Sequence, residues 1–276
     1  MADRLEVDVG GGLVVDGLAA GPGDGPPVLL LHGFPQSSAI WGPQLEALAG
    51  AGYRAVAFDQ RGYSPRARPG SVEDYDIRHL VDDALTVAGD GPFHVVGHDV
   101  GAVVAWHLAA KHPDRIRTLT ALSVPHPVAF ATALASPDCD QRDRSSYVSF
   151  FRQVDEAEAL LLAGGLATLL RLSGYPGDVE ERVQAMSEPG ALTGALNWYR
   201  AIGISLVAGM GRITVPTLFV WSTGDVALGR EGAEATAGYV AGPYRFEVLD
   251  GVSHWIPEET PDTLTRLLLE HLAAAQ

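Results

Sequence analysis

Residues 93–102 read FHVVGHDVGA, and this stretch decides the fold class. Residues 93–96 form a short β-rich run typical of a buried strand, whereas the residues after Asp99 carry apolar side chains at helical spacing. Gly97 and Gly101 lie two positions before and after Asp99, which is the spacing of a sharp strand-to-helix turn. The residue at the tip of such a turn is strained, and bulky neighbours two positions away would clash. We therefore expect a strand, a turn that presents Asp99, and a helix.

The same alternation of strand and helix patterns extends along much of the chain. It predicts strands at residues 28–31, 54–58, 93–96, 115–124, 215–221 and 244–249. It predicts helices at residues 75–88, at 101–111 and at the end of the chain, where Thr260 is the expected N-cap and Pro261 the first helical residue. This alternation is typical of an α/β fold, here with a mostly parallel sheet of about six to eight strands.

The alternation stops between about residues 126 and 211, where helical patterns rich in Leu, Tyr and Trp follow one another. Ligands of open α/β sheets bind beyond the carboxyl ends of the strands. A helical block inserted after a strand end is therefore expected to cover the binding site. We expect an α/β core formed by residues 1–125 and 212–276, with a helical cap at 126–211.

Composition excludes several classes of function. The formal net charge of −15 disfavours binding to nucleic acid or to an anionic membrane surface. Cys139 is the only cysteine, so no intrachain disulfide is expected, and the chain lacks cysteine and histidine at structural-zinc spacing. The start of the chain does not resemble a signal peptide, and the apolar stretch 159–172 is only about one helix long. We expect a cytoplasmic protein without a metal or other cofactor, either a monomer or a homodimer.

An aspartate at the tip of the turn makes a particular reaction possible. A carboxylate displaces a leaving group at saturated carbon and forms an ester, which water later cleaves at the carbonyl of Asp99. A serine in the same place would form an inert ether. The helix that follows brings its positive end next to the carboxylate. The alternative is that Asp99 serves only as the N-cap of that helix.

Residues 32–35 read HGFP and follow the predicted strand 28–31. An exposed backbone amide at Phe34 is expected to pair with the amide of Val100, and the two would form an oxyanion hole. Glycine and proline also end strands without any catalytic role, so a plain turn is the alternative.

Asp225 and His254 follow two later predicted strands, so the chain order is nucleophile, acid, histidine. Both residues lie at carboxyl strand ends, the edge where Asp99 is expected. His254 would activate water, while Asp225 would fix its tautomer and stabilise the imidazolium. Most histidines are structural, and this chain has nine. Chain order and strand-end placement favour His254.

The whole set of motifs resembles the epoxide hydrolase branch of the α/β-hydrolase superfamily. Residues 59–64 (DQRGYS) and 251–255 (GVSHW) are similar to loops of that family, as is the turn around Asp99. Residues 146–151 (SYVSFF) and 196–200 (LNWYR) are similar to the segments that carry its ring-opening tyrosines. The resemblance implies an α/β-hydrolase fold, an epoxide and water as substrates, and Tyr147 and Tyr199 as donors to the epoxide oxygen.

A substrate pocket is expected beside these residues. Its predicted lining comprises His32, Pro35, Trp41, His98, Trp198 and Trp255. Val100 occupies the position where haloalkane dehalogenases carry tryptophan and fluoroacetate dehalogenases carry arginine, which disfavours both activities. Two alternatives remain: a dehalogenase-like hydrolase using Trp41 or Trp198 as halide donors, and a non-catalytic binding protein on the same fold.

Overall fold

The computed structural model of the protein describes residues 2–201, 203 and 206–275. Its central feature is one eight-stranded sheet with the order β1-β2-β4-β3-β5-β6-β7-β8. The strands are β1 (Asp3–Gly10), β2 (Leu13–Ala20), β3 (Pro27–Leu31), β4 (Arg54–Phe58), β5 (Phe93–His98), β6 (Ile116–Leu122), β7 (Thr217–Ser222) and β8 (Tyr244–Leu249). Strands β3 to β8 pair in parallel, and β1 and β2 add an antiparallel pair at one edge. The expected α/β fold with a mostly parallel sheet is confirmed.

Alternate side chains of the strands point into two separate apolar clusters, one on each face of the sheet. Leu29 and Leu31 belong to one cluster, whereas Val28 and Leu30 belong to the other. Helices α2 (Ile77–Ala88) and α3 (Val100–Lys111) pack on the first face, and α1 (Gly42–Gly50) and α13 (Pro261–Ala273) on the second. The central strands read as continuous apolar runs because both faces are covered.

Helices fill the segment between β6 and β7, and no strand interrupts its described residues. The helices are α4 (Pro127–Ala135), α5 (Gln141–Arg144), α6 (Tyr147–Phe151), α7 (Glu156–Leu160), α8 (Leu166–Leu172), α9 (Val179–Met186) and α10 (Ala191–Ala201). The apolar stretch 159–172 is broken by a π-helical turn, Leu161–Gly165, where Gly164 has φ +113°. Only glycine tolerates this conformation without strain, so the stretch kinks at this point.

Two short helices follow the last two strands in the chain: α11 (Arg230–Ala235) comes after β7, and α12 (Ile256–Glu259) comes after β8. Thr260 is the N-cap residue of α13 (Pro261–Ala273), as expected, although its side chain makes no capping hydrogen bond. Thr260 precedes Pro261 as predicted, but its hydroxyl donates to the carbonyl of Ile256 rather than accepting from the helix. Within the described ranges, no helix is long and apolar enough to cross a membrane.

Candidate active site

Asp99 lies between β5 and α3, with φ +54° and ψ −123°. A residue with a side chain rarely adopts a positive φ, so this turn is strained. Neighbouring glycines make it possible. A Cβ atom at Gly97 would lie 2.2 Å from the carbonyl oxygen of Gly101, and one at Gly101 would lie 2.3 Å from that of Leu31. Both positions therefore exclude every larger residue, as their spacing predicts.

The Asp99 carboxylate faces the loop that follows β3. The backbone N–H of Phe34 donates to Asp99 Oδ1 at 2.9 Å. A Cβ atom at Gly33 would lie 2.3 Å from the Cβ of Asp99, so only glycine allows this approach. The Asp99 side chain makes no capping hydrogen bond to α3. Asp99 thus occupies the N-cap position of α3, but its side chain does not cap the helix.

His254 lies between two carboxylates. Its Nδ1 is 2.8 Å from Oδ2 of Asp225, and its Nε2 is 3.5 Å from Oδ2 of Asp99. The other oxygen of Asp225 accepts from the backbone N–H groups of Ala227 and Leu228, at 2.8 and 2.9 Å. These bonds fix Asp225, which in turn orients the imidazole. The three strand-end residues selected from the sequence thus meet at one edge of the sheet.

The two carboxylates determine the charge of His254. Burial favours the neutral ring, but Asp225 and Asp99 outweigh it and raise the pKa of His254 to about 10. Burial acts in the opposite sense on Asp99, and the hydrogen bond and charge of His254 outweigh it, so the pKa of Asp99 is lowered. At neutral pH the group consists of an imidazolium between two carboxylates.

A cavity of about 220 Å³ lies above Asp99. Its lining residues are Phe34, Asp99, Arg144, Tyr147, Phe151, Leu169, Ser173, Tyr199, Val226, Ala227, His254 and Trp255. The predicted nucleophile, the histidine and both predicted tyrosines therefore face the same space, between the strand ends and helices α6, α8 and α10.

The two tyrosines are held by aromatic packing. Their ring centroids are 6.3 Å apart, and Tyr199 packs edge-to-face against Phe34 and Phe151. Burial, with the nearby charge of Asp99, raises the pKa of both Tyr147 and Tyr199. Both phenols are therefore protonated at neutral pH and are able to donate hydrogen bonds into the cavity.

Trp41 was predicted to line the pocket, and the structure places it elsewhere. It ends a 3₁₀ helix, Ser38–Trp41, and lies fully buried in the apolar cluster on the α1 and α13 face of the sheet. This prediction is wrong because proximity in sequence to HGFP does not determine which face a later side chain reaches.

His32, Pro35, His98 and Trp198 also do not line the cavity; all four are buried behind its wall. His32 Nε2 accepts from the backbone N–H of Gln60, and the Trp198 indole donates to the carbonyl of Arg61. His32 and Trp198 thus attach the loop after β4 to the candidate site. The prediction that these four residues, His32, Pro35, His98 and Trp198, line the pocket is therefore wrong. Trp255 lies in the cavity wall, as predicted.

Several lining residues were missed by the sequence analysis. Phe151 follows Tyr147 by one helical turn, and Val226 directly follows Asp225, so their positions carried a usable signal. No such signal marks the positions of Arg144, Leu169 and Ser173, because these residues reach the cavity only through the packing of α5 and α8.

Comparisons with known proteins agree with this geometry. Residues 26–261 match the family model described as the alpha/beta hydrolase fold. Epoxide hydrolase A of Mycobacterium tuberculosis is 34% identical to the chain over 304 residues, with 93% of each protein covered. The chain belongs to the α/β-hydrolase family that includes the epoxide hydrolases. Another member, the AB hydrolase superfamily protein YfhM of Bacillus subtilis, is 38% identical, with 95% of each protein covered.

Solved structures of this α/β-hydrolase family match the whole chain. Epoxide hydrolase A from Mycobacterium thermoresistibile superimposes with a TM-score of 0.84 at 28% identity, covering 99% of this chain and 98% of that one. Among the residues that the structure describes, no cluster of three or more histidine, cysteine or acidic residues has a geometry suited to a metal ion.

Proposed function

We propose that this α/β-hydrolase opens epoxides to vicinal diols through a covalent ester of Asp99. One observation carries the proposal: Asp99, His254, Tyr147 and Tyr199 all line a single cavity. This reaction needs three kinds of group: a nucleophilic carboxylate, a base whose protonation depends on the charge of that carboxylate, and two protonated phenols that donate to the epoxide oxygen.

In the first step, Oδ2 of Asp99 attacks an epoxide carbon and an ester bond forms. The ring C–O bond breaks, and its electron pair goes to the oxygen, which Tyr147 and Tyr199 hydrogen-bond. One phenol gives this oxygen its proton and later regains one from solvent. The raised pKa of both tyrosines keeps them protonated and ready to donate.

In the second step, water attacks the carbonyl carbon of the ester. Esterification removes the charge of Asp99, one of the two carboxylates that raise the pKa of His254. His254 then releases its proton to solvent more readily and becomes a base. The oxyanion forms at Oδ1, where the Phe34 amide already donates and where we propose that the Val100 amide joins it. The diol leaves with a proton from His254.

We propose that residues 126–211 act as a cap on a core of residues 1–125 and 212–276. Tyr147 and Tyr199 belong to this segment, on α6 and α10, while Asp99 and His254 belong to the core. The reacting groups are thus divided between cap and core, so the apolar cavity between these two parts forms only when the cap packs against the core.

The dehalogenase alternative needs a halide donor in the cavity, and the indole groups do not supply one. Trp198 and Trp255 donate to the carbonyls of Arg61 and Ser173, and Trp41 lies on the other face of the sheet. The small residue Val100 also leaves the position after Asp99 without a halide ligand.

Diol formation from a panel of aryl and alkyl epoxides tests the proposal, with Asp99→Ala beside the parent. We expect the parent to turn over at least one epoxide and Asp99→Ala to form no diol. In a single turnover in ¹⁸O-water, the label should enter the Asp99 carboxylate rather than the diol, because water attacks the ester carbonyl. Release of halide from haloalkanes, with no diol formed from any epoxide, would contradict the proposal and support the dehalogenase alternative.

A further inference from the structure

Asp225 begins a short loop after β7, residues 225–229, which we call the acid loop. The backbone N–H groups of Ala227 and Leu228 donate to the carboxylate of Asp225 itself. The carbonyls of Asp225 and Ala227 and the N–H of Gly229 need partners as well, because unpaired backbone groups are costly in a protein interior. The residues that supply these partners determine where the Asp225 carboxylate is held.

Gln141 supplies two of the partners. This glutamine begins α5, in the helical segment between β6 and β7, and is only 1% exposed. Its Nε2 donates to the carbonyl of Ala227 at 2.8 Å and to the hydroxyl oxygen of Ser145 at 2.9 Å. Its Oε1 accepts from the N–H of Gly229 at 2.8 Å. A backbone carbonyl only accepts and a backbone N–H only donates, so neither a carboxylate nor an apolar side chain makes both bonds.

Arg144 supplies the third partner. It lies three residues after Gln141 in α5, so both side chains leave the same face of the helix. Its Nη1 donates to the carbonyl of Asp225 at 2.6 Å, and its Nε pairs with Asp140 at 2.8 Å. Helix α5 thus satisfies two carbonyls and one N–H of the acid loop.

The acid loop packs closely against α5. A Cβ atom at Gly229 would lie 3.1 Å from Oδ1 of Asp140 and 3.4 Å from Oε1 of Gln141. On the side of the sheet, the carbonyl of Leu228 accepts from the indole of Trp221 on β7 at 3.1 Å. The loop is therefore held from two sides, and the loss of either contact would let the Asp225 carboxylate move.

His254 depends on the position of this carboxylate. Oδ2 of Asp225 lies 2.8 Å from Nδ1 of His254, a length typical of a charge-assisted hydrogen bond. The bond fixes the direction of the ring, and the negative charge favours the imidazolium. If the loop were displaced, the bond would lengthen, and His254 would be a weaker and less well oriented base.

We propose that Gln141 is a positioning residue, which together with Arg144 ties the acid loop to α5 and so holds Asp225 at hydrogen-bond distance from His254. The inference rests on the proposed function, since it concerns how the base of ester hydrolysis is oriented. It adds no covalent step and no proton transfer. Because α5 belongs to the proposed cap and Asp225 to the core, the acid is aligned only when the cap packs against the core.

The first test needs no substrate. In parent protein labelled with ¹⁵N-histidine at neutral pH, the Nδ1 proton of His254 should resonate at low field, because it is bonded to Asp225, and His254→Gln identifies the signal. In Gln141→Met both bonds to the acid loop are lost, so the signal should move upfield and exchange faster with water. An unchanged signal in Gln141→Met, or no low-field signal in the parent, overturns the inference.

Arg144→Met provides a second variant if Gln141→Met does not fold. The Arg144 side chain is 32% exposed, so its replacement disturbs the interior less. The substitution removes the bond to the carbonyl of Asp225, and the His254 signal should again move upfield. With Gln141→Met unfolded, an unchanged signal in Arg144→Met overturns the inference.

The second test measures the two half-reactions by intact-protein mass in single turnovers. In Gln141→Met we expect ester formation within about twofold of the parent and ester hydrolysis about tenfold slower, because hydrogen bonds that hold the acid loop are lost while Asp225 itself remains. The ester of Asp99 then accumulates. Gln184→Met replaces an exposed glutamine of α9 in the same way and is the matched control, with both rates and the His254 signal unchanged.

The split between the two steps distinguishes positioning of the base from a structural role. A generally loosened cap would displace Tyr147 and Tyr199 as well, so equal slowing of both steps contradicts the inference. Hydrolysis at the parental rate in Gln141→Met contradicts it too. A parent that forms neither ester nor diol contradicts the proposed function instead, and the His254 signal then decides the inference alone.

Discussion

At the scale of single residues, the charges of Asp225 and Asp99 together hold the proton on His254. The imidazole lies 3.5 Å from Asp99 and 2.8 Å from Asp225, and both carboxylates favour the imidazolium. The proposed esterification of Asp99 would leave only the charge of Asp225 beside the ring. In the proposed reaction, formation of the ester would therefore weaken the hold on the proton of His254 and prepare this residue to act as the base of ester hydrolysis.

We propose that the phenols of Tyr147 and Tyr199 serve the other half-reaction, the opening of the epoxide ring. Replacing Tyr199 with phenylalanine keeps the packing against Phe34 and Phe151 but removes one donor to the opening epoxide oxygen. We expect ester formation in Tyr199→Phe to fall about 10²-fold, at the lower end of general-acid effects, while hydrolysis of preformed ester is unchanged. Stopped-flow fluorescence in single turnovers measures both rates.

Tyr147→Phe should act on the same step, and the double variant should be slower than either single one. Tyr239 stacks on His126 and does not line the cavity, so Tyr239→Phe is the control that should leave both rates alone. Slowing of hydrolysis rather than of ester formation would show that the phenols do not serve the epoxide oxygen.

At the scale of elements, helix α10 packs closely against the loop after β4, where Gly194 contacts Gly62. A Cβ atom at Gly194 would lie 2.6 Å from the carbonyl oxygen of Gly62. The same helix carries Trp198, whose indole donates to Arg61, and Tyr199. Arg61 is itself fixed by a buried ion pair with Asp83 at 2.7 Å. The position of the Tyr199 phenol thus depends on how closely α10 approaches this loop.

Gly194→Ala should push α10 away from that loop. We expect a loss of about 1–3 kcal/mol in the free energy of unfolding, typical of an overpacked contact. Ester formation should slow at the same time, because Tyr199 moves with the helix. Urea unfolding and single-turnover kinetics measure the two effects. At Gly238 a Cβ atom would meet nothing within 4 Å, so Gly238→Ala is the matched control. Full stability and activity in Gly194→Ala would contradict the role given to this contact.

At the scale of the whole molecule, buried histidines make the fold sensitive to acid. Burial lowers the pKa of His94, His107 and His126 to about 4 in each case. A histidine with a lowered pKa contributes stability that is fully present above its unfolded value near 6.5. That contribution is lost as the pH falls through about 4, because the unfolded chain binds the proton first.

We therefore expect the free energy of unfolding to fall between about pH 6.5 and pH 4. The slope should reach about 1.4 kcal/mol per pH unit for each of these histidines that the unfolded chain protonates. Urea unfolding at several pH values measures it. His107→Asn removes one titrating group and should make the slope shallower than that of the parent. An equal slope in both proteins would show that His107 does not contribute.

Local patterns in the sequence determined the sheet, the turn at Asp99 and the three strand-end residues. The central strands are continuous apolar runs because both faces of a parallel sheet are covered. The sharp turn at Asp99 needs Gly97 and Gly101 because a Cβ atom at either position would clash with backbone. The N-terminal pair β1 and β2 was not predicted. Its edge strand β1 is partly exposed, so its apolar signal is weak.

Only the tertiary structure decided which side chains form the cavity wall. Trp41 and His98 lie next to the motifs in the chain, yet one packs on the opposite face of the sheet and the other lies behind Asp99. Leu169 and Arg144 are far from Asp99 in sequence and line the cavity with it. A motif specifies backbone conformation over a few residues, whereas a cavity wall depends on how separate elements pack, and no local pattern contains that information.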